Sequence, residues 1–238
     1  MHSVTVNQGL ADVTANASDL TVCDGDAVDL TSSATFSLPP TILTENFNAG
    51  APGWTQSNAS TGGTPANAAW SLGANGSVHF GWTLFSNDAS QFGFTDSDAQ
   101  GSGSTTNTAL MSPSFSLAGY GTAQLSFWQA YRDVGDAGDN TNVEVSTDGG
   151  GIWTSLTQYT ASQGAANAWV NAVLDLSAYA GQTNVMLRFR YTATWDWGWA
   201  IDNVSVTGTT GALTYAWTSD PAYFVDGTQD PTGVTVSP

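Results

Sequence analysis

The feature that most constrains this chain is a two-residue alternation of apolar and polar side chains, interrupted repeatedly by clusters of Gly, Asn, Asp and Ser. Alternation shows in Val4-Thr5-Val6, Ala27-Val28-Asp29-Leu30, Gln124-Leu125-Ser126-Phe127-Trp128 and Asn142-Val143-Glu144-Val145. It returns over residues 169–176, 184–191 and 203–206, and again over 213–217 and 234–236. Period two places successive side chains on opposite faces of a strand. Turn clusters between such runs are the pattern of a sandwich or barrel. Only residues 176–181 hint at a helical turn, and no long 3.6-residue period exists, so helical bundles and βαβ folds are excluded. The expected class is all-β.

Strand phase also says where charge sits. Val185, Leu187, Phe189 and Tyr191 share one face, and Met186, Arg188 and Arg190 share the other. Pairing of the two arginines with a carboxylate such as Glu144 on a neighbouring strand is expected. The stretch Ser146-Thr147-Asp148-Gly149-Gly150-Gly151-Ile152-Trp153 has the spacing of an Asp-box. In that hairpin the Asp holds turn amides and the Trp packs beneath, which is a structural role. Asp-Gly between two strands is itself a hairpin signal.

Charge narrows function. The chain has 238 residues, 20 Asp+Glu, three Arg and no Lys, for a formal net charge of −17. Phosphate neutralisation needs Lys and Arg on one face, so nucleic-acid binding is not expected, nor is docking on anionic lipid. No apolar run is long enough for a spanning helix, and the first residues do not form a signal peptide. Lysine chemistry is excluded outright. Twenty-seven aromatics are enough for a packed core, so the charge does not imply disorder. Such a Lys-poor, acidic, Ser/Thr/Asn-rich composition fits a secreted or surface-displayed protein. The single Cys23 reads as a small buried strand residue, or as half of a bridge whose partner lies outside the chain. The opening residues and the end at Pro238 in mid-pattern read as a cut from something longer.

Over residues 43–206 the order of motifs becomes specific. It runs Leu43-Thr44-Glu45-Asn46-Phe47, Gly53-Trp54, Phe94-Thr95-Asp96-Ser97-Asp98 and Ala109-Leu110-Met111-Ser112-Pro113. Leu125-Ser126-Phe127-Trp128, the Asp148-Gly149-Gly150 hairpin, Trp169 and Gly198-Trp199-Ala200-Ile201-Asp202-Asn203-Val204 follow. This resembles the cleaved-adhesin jelly roll, related to MAM domains, of large surface and secreted proteins of Bacteroidetes-type bacteria. On either side, Thr21-Val22-Cys23-Asp24-Gly25-Asp26-Ala27-Val28-Asp29-Leu30 and Leu213-Thr214-Tyr215-Ala216-Trp217 resemble strands of a PKD/Ig-like domain. The expected architecture is a jelly-roll β-sandwich inserted into an incomplete Ig-like β-sandwich. Residues 1–9 would be the final strand of a preceding unit, 10–40 the first part of the Ig-like domain, 41–208 the jelly roll and 209–238 the truncated second part. A strand passed from one copy to the next would cover the open sheet edge, and the missing strands could hold a partner for Cys23.

The resemblance implies a structural Ca²⁺ near the first and last strands and an acidic loop. Glu45, Asp96, Asp98 and Asp202 fit that pattern as its ligands, and calcium takes oxygen donors of this kind. Asp133, Asp136 and Asp139 form a weaker second calcium candidate: spacing by three occurs in calcium loops and in ordinary Gly-Asp turns, and the turn is the preferred reading. Trp195, Trp197 and Trp199 alternate; Trp199 matches the core motif, whereas Trp195 and Trp197 could present a glycan- or protein-binding surface or pack against a neighbouring loop. Their parity opposes that of Val204 and Val206, which calls for a bulge near Gly198 or an outward Trp face. Catalysis has no visible motif: His2 and His79 have no Ser or Cys partner in one, and His and Cys are too few for zinc. The expected function is a calcium-stabilised structural or adhesive repeat unit at a bacterial cell surface, joined to neighbouring copies by strand complementation. Type IX secretion follows from the resemblance. The alternative is a glycan- or protein-binding module.

Overall fold

A computed structural model describes residues 10–36, 38–79, 81–136, 138–218 and 224–235. The strand expected over residues 4–6 therefore lies outside the described residues. The chain divides into two compact units, one formed by residues 1–39, 119–121 and 209–238 and the other by 40–118 and 122–208.

The larger unit is a sandwich of two antiparallel sheets. In the five-stranded sheet the order is Thr154–Tyr159, Asn140–Ser146, Met186–Ala193, Thr106–Met111 and Thr55–Asn58. The second sheet runs Val170–Asp175, Tyr120–Arg132, Gly198–Thr210, Phe92–Asp96 and Ser71–Gly73, and Thr41–Glu45 also pairs with Gly198–Thr210. Neighbours in both sheets are mostly distant in sequence, which is why the alternation is clear but the pairing is invisible before folding. The first and last strands of the unit lie side by side: Leu43 is opposite Val206, and the Gly208 amide donates to Pro40 at 2.9 Å. A unit whose ends meet can interrupt another chain at a surface loop.

The core between the sheets follows the strand phase. Val185, Leu187, Phe189 and Tyr191 are all fully buried, and Phe189 packs against Trp54, Phe127 and Trp199. On the opposite face Arg188 and Arg190 both reach the Glu144 carboxylate. Arg188 also lies over the Trp153 ring, 4.4 Å from its centroid. The Asp-box closes as its spacing implies: Asp148 Oδ1 accepts the amides of Gly151 and Ile152 at 2.9 and 3.0 Å. The helical turn hinted over 176–181 is a 3-10 helix at Ser177–Tyr179; two others, Pro65–Ala68 and Asp98–Gln100, had no sequence signal.

Sequence reasoning missed a second aromatic layer. The outer face of the six-stranded sheet is also covered, by Trp82, Leu84, Phe92, Phe94, Ala130, Trp169 and Ala200, with Trp128 and Trp197 packed against them. Phe92–Asp96 is consequently buried along its whole length.

In the smaller unit, Leu10–Ala17 pairs with Leu30–Phe36, and Val28 lies opposite Val234. Val28, Leu30 and Trp217 form its core, with Val22, Phe224 and Val234 against them. The Leu30 amide donates to Pro231 at 2.8 Å and the Ser32 amide to Asp230 Oδ1 at 2.9 Å. Segments from the two ends of the chain thus build one small core. The strand expected over 213–217 shrinks to Trp217–Thr218. The reading of Cys23 as a buried strand residue is corrected: it is exposed, in a turn where its amide donates to Asp26 Oδ2 at 2.9 Å. The Gly25-containing turn, not a strand, sets its exposure.

Candidate functional site

The strand Gly198–Thr210 positions most of the candidate residues. It starts only at Gly198, whose missing Cβ matters, since one would lie 2.5 Å from the Thr95 carbonyl. Trp195, Trp197 and Trp199 therefore do not share a face. Trp199 is fully buried in the inter-sheet core, with its indole N–H on Gln129 Oε1 at 3.0 Å. Trp197 packs on the outer layer, edge-on to Trp82, with the Arg132 guanidinium carbon 3.3 Å from its centroid. Trp195 is 49% exposed and takes φ +51°, a left-handed backbone unusual for a bulky residue.

The parity change within this strand occurs further on, at Asn203, with φ +49°. Before it, Trp199 and Ile201 face the core and pair with Phe92–Asp96; after it, Val204 and Val206 face the core and pair with Thr41–Glu45. Bulges of this kind redirect side chains beside functional sites. Here the break sits next to Asp202.

Asp202 is fully buried and has its carboxyl pushed up to about 7. Burial is the largest cause; the neighbouring carboxylates of Asp88 and Glu45 add to it, against hydrogen bonds from the Asn203 amide and Ser90. The Asn203 amide reaches Asp202 Oδ1 at 2.7 Å and the Ser90 hydroxyl reaches Oδ2 at 3.4 Å. Glu45 is buried opposite Val204, with Oε1 accepting the Phe47 amide at 2.6 Å. Asp88, exposed, accepts from the Asn203 side chain at 2.9 Å and from Ser90. A groove lined by Thr44, Glu45, Asn46, Asn203 and Ser205 opens beside this group.

Asp96 and Asp98 lie elsewhere. Asp96 pairs opposite Gly198, four residues along the strand from Asp202, or about 13 Å at the rise of an extended chain. Its Oδ1 accepts the Ala99 amide at 2.8 Å, and its Oδ2 is 3.7 Å from His79 Nδ1. Burial, then Asp96, pushes the Asp98 carboxyl up, while the Trp195 indole opposes this. The four expected calcium ligands therefore form two pairs. Among the described residues no three His, Cys, Asp or Glu side chains converge closely enough to hold a metal by themselves. The donor chemistry around Asp202 nevertheless fits calcium: carboxylate, hydroxyl and amide oxygens, with a buried carboxyl that forms no ion pair among the described residues. Two carboxylates would be completed by carbonyls and water, as calcium accepts. Asp88 had no sequence signal beyond its turn-like Ser-Asn-Asp-Ala-Ser setting.

A further arrangement appears only in three dimensions. His79 Nε2 lies 3.0 Å from the Ser77 hydroxyl, and its Nδ1 faces Asp96. The order resembles an acyl-transfer triad, but such chemistry needs free donors aimed at an oxyanion. The amides beside the hydroxyl are engaged, Ser77 N–H with Ala74 at 2.9 Å and Gly76 N–H with Leu84 at 2.7 Å. Ser77 and His79 are same-face neighbours in a hairpin, and the His79 ring packs at a tilt against Phe94, with centroids 4.1 Å apart. We assign this group to packing. Among the described residues no helix is long and apolar enough to cross a membrane.

No family model and no curated protein matches the chain. Among solved structures it is similar to the K1 cleaved adhesin domain of Lys-gingipain from Porphyromonas gingivalis W83, with 19% identity and a TM-score of 0.53 over 72% of this chain and 99% of that one. The K3 cleaved adhesin domain of the same protein aligns with 20% identity and a TM-score of 0.50, over 70% of this chain and 97% of that one. The sandwich has the cleaved-adhesin fold.

Proposed function

We propose that this chain is a structural and adhesive unit of a bacterial cell-surface or extracellular protein, stabilised by calcium and without enzymatic activity. The observation that carries this reading is the sandwich fold, shared with cleaved adhesin domains along nearly their whole length. A Lys-free surface with net charge −17 supports an extracellular setting and argues against nucleic acid or anionic lipid as partner. Export by the type IX route belongs to the same reading. The smaller unit, built from two chain ends, is an Ig-like sandwich interrupted by the jelly roll; it joins copies end to end by accepting a strand at its open edge.

Calcium would be held by Asp202 and Glu45, with Asp88 in the adjoining loop. When bound, it supplies the positive charge that the buried Asp202 carboxylate lacks. Asp96 and Asp98 form a second, weaker pair. The test is a thermal melt with and without EDTA, followed by calcium add-back. At calcium a hundredfold above Kd the reversible gain is about 2.7 kcal/mol; an unchanged melt at every calcium concentration would remove the metal from this reading. Sedimentation velocity over a range of concentrations tests assembly, and a strictly monomeric chain would count against strand exchange.

A second reading, a glycan- or protein-binding module, is favoured by one observation. Trp195 is held half-exposed by a left-handed backbone beside Asp98, and strained positions cluster at ligand sites. Co-sedimentation with polysaccharide separates the two readings: retention abolished by Trp195→Ala supports a ligand surface, and no retention leaves the structural role alone.

A further inference from the structure

A second set of buried oxygens lies where Asp139 meets residues 194–197, at the other end of the Gly198–Asp202 segment from the Asp202 group. Asp196 is 1% exposed and faces the amides of Trp197 and Val134, but among the described residues neither of its carboxylate oxygens makes a hydrogen bond of good geometry. Asp139 is 3% exposed; its Oδ1 accepts the Thr194 amide at 2.8 Å, while Oδ2 has no partner among the described residues. Tyr131 and Tyr191 pack edge to face with centroids 5.9 Å apart, and among the described residues both buried hydroxyls are also without partners.

These groups share one electrostatic environment. Burial, then Asp139 and Asp133, pushes the Asp196 carboxyl up to about 6, against the nearby amides of Trp197 and Val134. Burial, then Asp196, raises both tyrosine hydroxyls, and Asp139 raises them further. The nearest arginine does not neutralise the group: Arg132 lies over Trp197 and, among the described residues, forms no ion pair. Asp133 is turned to the Gly135 amide at 3.1 Å, as a Gly-Asp turn requires, so the spacing of three does not itself make the cluster.

Burying a carboxylate oxygen without a partner is costly, and here three such oxygens, two of Asp196 and one of Asp139, lie with two unsatisfied phenols. Every free atom is oxygen, which favours a hard cation over zinc or copper. We propose that a divalent cation, calcium by this donor chemistry, binds between Asp139 and Asp196 through their free carboxylate oxygens. No third carboxylate converges with them among the described residues, so carbonyl, hydroxyl and water oxygens complete the shell. The ion joins Asp139 to the segment carrying Trp195 and Trp197, and so fixes the aromatic surface beside it. This site is independent of the one at Asp202.

The test uses calcium-depleted protein, with calcium titrated by calorimetry and bound ions counted by native mass spectrometry. Asp202→Asn is expected to retain one calcium per chain. Adding Asp196→Asn or Asp139→Asn to it is expected to weaken that ion at least tenfold. If Asp202→Asn binds no calcium, or the double variants bind as tightly as the single one, the proposal is overturned. Terbium luminescence provides an arm that leaves Asp202 intact. Emission sensitised through Tyr131, Tyr191 and Trp197 is expected to fall at least tenfold in Asp196→Asn, checked for folding by circular dichroism. Undiminished emission would also overturn it, because ordered water would then satisfy these groups.

Discussion

The side-chain amide of Asn203 donates to Asp88 Oδ2 at 2.9 Å, tying the mid-strand break to a loop more than a hundred residues earlier. The same residue, at φ +49°, gives its backbone amide to Asp202. One left-handed residue therefore both redirects the strand and arranges the acidic group around Asp202.

Asn203→Gly keeps the left-handed backbone and loses only the bond to Asp88, so its expected cost is about 1 kcal/mol. Asn203→Val adds a β-branched side chain where φ is positive and is expected to cost about 2–3 kcal/mol. Urea unfolding measures both; equal losses would show that the backbone conformation contributes nothing.

In calcium-free protein Asp202 makes stability fall with rising pH. Its folded carboxyl stands at about 7 against an ordinary 3.8, so the fold favours the protonated form. That contribution is fully present below about pH 4 and is lost as pH rises through about 7, on the order of 4 kcal/mol in all. Asp196, at about 6, acts in the same direction. Urea unfolding in EDTA at pH 4.5 and 7.5 is expected to show a steeper loss for the wild type than for Asp202→Asn. Parallel losses would contradict the assignment.

Trp195 and Trp197 separate binding from packing. Trp195→Ala removes a side chain that is 49% exposed and is expected to change stability by less than about 1 kcal/mol. Trp197→Ala opens the outer layer against Trp82 and Arg132 and is expected to cost about 3 kcal/mol. Thermal melts of the two variants, in calcium, check the contrast.

Cys23 is exposed, so the native chain is expected to react fully with a thiol reagent without denaturant and to form dimers under oxidising conditions. Cys23→Ser abolishes both. A thiol that reacts only after unfolding would place it in a covered position instead.

Phe189 and Arg188 show how much of the fold was legible beforehand. Period two alone assigned them to opposite faces, because the pleat alternates whatever the tertiary partners are. The motif ending in Trp-Ala-Ile-Asp-Asn-Val carried the resemblance that selected Glu45 and Asp202. It did not reveal that Asp96 and Asp98 sit apart from them, since that separation depends on which strands flank Gly198–Thr210. Asp88 and Asp196 were missed for a related reason. One is an ordinary turn aspartate in the sequence, and the other stands unremarked between two tryptophans; burial and neighbours distinguish them.

The sequence by itself determined an all-β chain, the inward faces of its strands, the Asp-box and an acidic surface, because these follow from side-chain period and local turn chemistry. Tertiary structure decided which carboxylates meet, where the strand breaks at Asn203, which tryptophan is exposed and which buried oxygens lack partners. Those outcomes depend on pairing between strands far apart in the chain, and on the burial such pairing imposes on charges that appear equivalent along the sequence.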